Sequence, residues 1–163
     1  MKRIILFALL ASFGLTSISC SNDDNSTPVN QVPQAGGTIT FKVGGVAKTF
    51  NTINVVEDEQ GTTEDPYTVL MVTASANNNP AEVISFVLPK GQIGANLIYN
   101  LIYTVNGKSY WADTFGGSST NVVQTNTADN KIIGSFSGTF TYSNMGQDFE
   151  ELMITEGVFN FTY

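Results

Sequence analysis

Lys108-Ser109-Tyr110-Trp111-Ala112-Asp113-Thr114-Phe115 is the one stretch of this 163-residue chain where its single Trp meets a Tyr and an acid. Flat aromatic rings beside a polar group suit the faces of sugars, and Trp is enriched among residues that dominate binding energy. Tyr110, Trp111, Asp113 and Phe115 are therefore the candidate ligand-binding residues. On a strand, Tyr110 and Trp111 must point to opposite faces. The ordinary outcome is a hairpin strand whose Trp fills the core. If the other face is wet, at least one ring there needs a different explanation. Asp113 is also the best candidate for half of a carboxylate pair, which can hydrolyse glycosides without His.

A second chemistry is suggested by Glu57, Asp58, Glu59, Glu64 and Asp65, five carboxylates within nine positions. Hard cations such as Ca²⁺ take six to eight oxygens, which clustered acids can supply. The spacing is not that of an EF-hand loop, and a charge run of this kind is usually a solvated hairpin tip. Asp148, Glu150 and Glu151 form a smaller cluster of the same kind. No resident cofactor is expected beyond this weak Ca²⁺ candidate.

The residue inventory excludes much else. The chain has no His, which removes the commonest general base and transition-metal ligand. Its one Cys allows neither an internal disulfide nor a thiolate-cage metal site. Seven basic residues stand against 14 acidic ones, a net −7, so no nucleic-acid footprint is expected. Serines are plentiful but match no Ser-x-x-Lys or Gly-x-Ser-x-Gly pattern. Gly116-Gly117-Ser118-Ser119 has no adjoining helix and reads as a loop rather than a phosphate cradle. The chain is expected not to be an enzyme.

The elements that must position these residues begin after a leader. Residues 1–19 open with Lys2 and Arg3, continue through an apolar run from Ile4 to Leu15, and end in small residues before Cys20. That is the form of a secretory signal peptide, too short for a membrane-spanning helix. Ser17-Ile18-Ser19-Cys20 resembles a bacterial lipobox, although Leu is commoner at the first position. The resemblance implies cleavage before Cys20 and lipidation of its thiol. Lys2 and Arg3 leave with the leader, so 5 basic residues face 14 acidic ones, a net −9 without any Arg. A bidentate guanidinium clamp on phosphate is then absent. Residues 20–36, rich in Asn, Ser, Pro and Gln, read as a disordered tether spanning roughly 20–25 Å. Its acidic start, Ser21-Asn22-Asp23-Asp24, resembles the export signal of surface lipoproteins in Bacteroidota. The anchor is therefore expected on the outer membrane, facing the cell exterior, with the periplasmic face as the alternative.

Residues 37–163 read as a single β domain with no convincing helix. Ile39, Phe41 and Val43 alternate with polar residues, and Gly44-Gly45 then leads into Val46 to Phe50, a hairpin pattern. Tyr67 to Ala76 is nearly all apolar or β-branched. Asn106-Gly107, the strongest two-residue hairpin signal, joins Leu97–Val105 to Lys108–Asp113. From Ile132 to Tyr142 the even positions are apolar or Gly and the odd ones mostly polar, which predicts one long strand with one buried face. After Leu152 and Ile154, the large residues shift to odd positions at Phe159, Phe161 and Tyr163. A β-bulge near Gly157 would reset the alternation in this way. About eight to ten antiparallel strands are expected, as a β-sandwich or a calycin-like β-barrel.

The run Asn130-Lys131-Ile132-Ile133-Gly134-Ser135-Phe136-Ser137-Gly138-Thr139-Phe140, followed by Ile154-Thr155-Glu156-Gly157-Val158-Phe159-Asn160-Phe161, is similar to the ending of small Bacteroidota lipoproteins of unknown function. Their domains also open with a strand, a Gly turn and a second strand. The resemblance implies a compact antiparallel β domain behind a lipid anchor and carries no catalytic residue.

These readings converge on a lipid-anchored outer-membrane module that binds a glycan, a peptide or a partner protein without catalysis. One alternative is a small-ligand carrier with an internal barrel cavity lined by inward Gly134, Gly138 and Ala74. The other is a carboxylate glycosidase built on Asp113.

Overall fold

The computed structural model describes residues 31–32, 35–77, 79–112, 118–144 and 148–163. Among them run twelve strands and no helix: β1 (Gln31–Val32), β2 (Ala35–Val43), β3 (Val46–Phe50), β4 (Thr52–Gly61), β5 (Pro66–Ser75), β6 (Glu82–Pro89), β7 (Gly94–Ala95), β8 (Tyr99–Val105), β9 (Lys108–Ala112), β10 (Ser119–Asn126), β11 (Lys131–Asn144) and β12 (Asp148–Thr162). Ten of these are five residues or longer, while β1 and β7 are two-residue bridges. The expected all-β antiparallel fold is present as one sheet curled into a half-barrel.

The strand order is β1-β4-β5-β6-β8-β9-β11-β12-β2-β3, with β10 on β11 and β7 on β10. Sequence neighbours β3 and β4 thus lie near opposite ends of the sheet, joined only through Asn51. That corner brings the two ends of the sheet together. The Asn51 backbone N–H donates to the Ser75 carbonyl at 3.2 Å. The Asn77 N–H donates to the Asn51 side-chain oxygen at 2.8 Å, and the Asn51 amide returns a bond to Asn77 at 3.0 Å.

Strand β11 forks the sheet. One edge pairs with β12 along its length; the other pairs with β10 from Ile132 to Gly138 and with β9 at Phe140 and Thr141. The segment between β6 and β8 is stitched to β10 by two buried amides. Asn121 accepts from the Ile98 N–H at 2.9 Å and donates to the Ile98 carbonyl at 3.2 Å. Asn126 donates to the Pro89 and Gln92 carbonyls at 2.9 and 3.1 Å. Such pairing satisfies backbone groups that a ladder would otherwise serve.

The interior is packed with rings. Phe41 stacks on Phe50 at 5.1 Å and meets Tyr103 and Phe136 edge-on at 5.3 and 5.7 Å. Phe159 reaches Phe86 at 5.5 Å and Phe136 at 6.4 Å. Gly134 is what lets Phe159 enter, because a Cβ there would sit 2.1 Å from the Phe159 ring. Gly138, at the fork, brings β11 within contact of β10; its Cβ would meet the Ser119 Cα at 2.4 Å. Ala74 is buried in the same core. At both glycines an added Cβ would meet neighbouring atoms at close range.

The bulge expected near Gly157 is present. Phe136 pairs with Gly157 and Gly138 with Ile154, so Ser137 alone faces both Thr155 and Glu156. Glu156 takes a positive φ of 53°. The extra residue moves the buried set from Ile154 to Gly157, Phe159, Phe161 and Tyr163. The Asn106-Gly107 turn forms as expected, with φ of 52° and 76°.

Strand structure begins at Gln31, and residue 37, the expected start of the β domain, lies inside β2. Gln31 and Val32 pair with Val56 and Val55 on the edge of β4, using backbone groups that side-chain composition does not report. The acidic run lies toward the tip of the β4–β5 hairpin: Glu57, Asp58 and Glu59 are on β4, in register with Leu70, Val69 and Thr68, and Glu64 and Asp65 are in the turn. Cys20, the leader and most of the tether lie outside the described residues.

Candidate binding surface

The pleat of β9 separates its two rings. Tyr110 points inward and is 5% exposed; Trp111 points outward and is 51% exposed. The expectation that Trp111 fills the core is therefore overturned. The core on this side is already supplied by Tyr110 and by Ala112, which follows it on the inner face.

Tyr110 is held by charge as well as packing. Its hydroxyl donates to Glu150 Oε2 at 2.7 Å, and Lys108 Nζ donates to Glu150 Oε1. Lys108 also stands 5.3 Å from the Tyr142 ring centre, and the Tyr110 and Tyr142 rings lie 5.7 Å apart. The hydrogen bonds from Lys108 and then Tyr110 hold the Glu150 carboxyl below the usual carboxylate range, outweighing desolvation. The Glu150 bond and then burial raise the Tyr110 hydroxyl. A parallel group joins Lys48, Glu82 and Tyr103: Lys48 Nζ lies 2.8 Å from Glu82, and the Tyr103 hydroxyl donates to Glu82 at 2.5 Å. Both carboxylates are engaged in holding strands together.

Outside, Trp111 lies in register with Ile102 on β8 and Thr141 on β11, and Thr141 with Glu151 on β12. Phe149 and Met153 flank Glu151 on the same face and are 68% and 57% exposed. The result is a wet strip of large apolar groups set among hydroxyls. Soluble surfaces seldom cluster such groups without use.

Comparison with known proteins returns no matching family model, no matching characterised protein and no matching solved structure.

Of the four aromatic-strip candidates, Tyr110 anchors and Trp111 presents; Asp113 and Phe115 lie outside the described residues. The five acidic candidates are not brought together. Strand alternation turns Glu57 and Glu59 away from Asp58, Glu57 meets Lys90 at 2.6 Å, and Asp58 accepts from Gln60 at 2.5 Å. Among the described residues, no three His, Cys, Asp or Glu side chains gather as a metal site.

One feature escaped sequence reasoning. At the β12 bulge the outer face dips into an open hollow of about 250 Å³, lined by Thr120, Val122, Ser135, Ser137, Glu156 and Val158 among others. Glu156, one of its lining residues, pairs with Lys42 of β2 at 2.8 Å. The phase flip at Gly157 was its only trace in the sequence, and three strands must assemble before it becomes a hollow.

Proposed function

We propose that this protein is a non-enzymatic carbohydrate-binding module, held to the outer membrane by a lipid on Cys20 and facing the cell exterior. The reading rests on one observation above all: the single Trp is half exposed on a hydroxyl-bearing strand face while the adjacent Tyr is locked into the core. A ring in water beside Thr141 offers an apolar platform with hydrogen-bonding neighbours, which is what a sugar face needs. The lack of His, and of Arg beyond Arg3 in the leader, fits binding without acid–base or phosphate chemistry. The lipobox-like Ser17-Ile18-Ser19-Cys20 and the acidic residues after it support the anchor and its placement.

A glycan array probed with the mature protein and with Trp111→Ala tests the binding. Retention by the parent chain and its loss in the variant is expected; equal binding by both rejects the aromatic platform. Mass spectrometry of the membrane fraction tests the anchor, and an unmodified Cys20 rejects it.

A further inference from the structure

We propose that the ligand is an uncharged polysaccharide lying lengthwise on the outer face of β11, from Trp111 to the hollow at the β12 bulge. This inference rests on the carbohydrate-binding reading and deepens it.

Along β11 the inner face is taken by Ile132, Gly134, Phe136 and Phe140, all buried. The outer positions are Ser135, Ser137, Thr139 and Thr141, an unbroken run of hydroxyls. Alternate residues repeat every ~6.7 Å along a strand, so this run covers roughly 20 Å. Its two ends differ from the middle. Thr141 is in register with Trp111, and Ser135 and Ser137 line the hollow. Solvation accounts for hydroxyls on a wet strand. It does not account for an exposed Trp at one end and a dip between Val122 and Val158 at the other. A single sugar would need one of these features, whereas a chain can occupy both and use the hydroxyls between them.

Charge selects the kind of chain. Glu156, which lines the hollow, is paired with Lys42 at 2.8 Å. Glu151 stands beside Thr141, and the whole chain carries −7. A polyuronate or sulfated glycan would meet carboxylates without a free guanidinium to offset them, since the one Arg belongs to the leader. An uncharged polymer meets no such penalty.

Affinity electrophoresis of the mature protein tests this with a panel of uncharged polysaccharides (a glucan, a mannan, a xylan and a galactan) beside polygalacturonate and a sulfated galactan. We expect retardation by at least one uncharged polymer and by neither charged one. Thr120→Tyr, which fills the hollow from its rim, should weaken retardation at least about tenfold, and Val158→Tyr provides the same block from the opposite strand. If both folded variants bind the polymer like the parent while Trp111→Ala does not, the lengthwise placement is wrong but carbohydrate binding stands. If no glycan is retained, both readings fall. Stronger retention by the charged polymers, or self-association through this face lost in Trp111→Ala, also overturns the inference.

Discussion

Tyr110 and Trp111 are consecutive residues of β9 whose rings stand on opposite sides of one strand, 5% and 51% exposed. The inner ring is clamped to Glu150 at 2.7 Å; the outer one lies in register with Thr141. Burial and solvent exposure are thereby divided between adjacent side chains. Trp111→Ala should shift unfolding free energy by no more than about 0.5 kcal/mol, as an exposed substitution does. Tyr110→Ala should cost roughly 3–5 kcal/mol, the range for emptying a buried aromatic site. Urea denaturation of the two variants measures the contrast.

Gly134 is irreplaceable for a packing reason. Its Cβ position lies 2.1 Å from the Phe159 ring and 2.3 Å from the Val122 carbonyl. Gly134→Ala should destabilise by about 1–3 kcal/mol or more through overpacking. Phe159→Leu in the same chain should recover part of the loss, since it relieves one of the two clashes. Thermal melts of the single and double variants decide this.

Acid should loosen the strands that Glu82 joins. Burial alone would raise its carboxyl, but the hydrogen bonds from Lys48 and Tyr103 and the Lys48 charge hold it below its ordinary value of 4.5. A depressed carboxyl stabilises the fold above its unfolded value, and that contribution disappears as the pH falls through the folded value. Stability should therefore decline below about pH 4.5. Glu82→Gln should lower stability at neutral pH and flatten this decline, as read from denaturation midpoints across the acid range.

Tyr163 gives the opposite sign in alkali. Its buried hydroxyl has no hydrogen-bond partner among the described residues, and burial followed by the Glu57 charge raises it from 10.0 to about 12. The neutral hydroxyl is the form the fold accepts, so its contribution is complete below pH 10 and is lost as the pH rises toward about 12. Tyr163→Phe removes an unsatisfied polar atom and should stabilise by about 1 kcal/mol at neutral pH. It should also remove part of the alkaline loss, which denaturation midpoints taken above pH 10 will report.

Local alternation was legible because a strand must turn every second residue inward whatever it later pairs with. Ile132 to Tyr142, the Asn106-Gly107 turn and the phase change at Gly157 each express that rule within a few residues, and each stands in the structure as read. The sequence by itself thus determined an all-β chain, its long C-terminal hairpin and the opposition of Tyr110 to Trp111. Which of the two rings entered the core depended on the curl of the sheet, because the curl decides which face becomes the interior. The acids of β4 became strand residues only through pairing with β5, and the hollow exists only where β10, β11 and β12 meet. Those contacts join residues far apart in the chain, and no short window of sequence contains both partners.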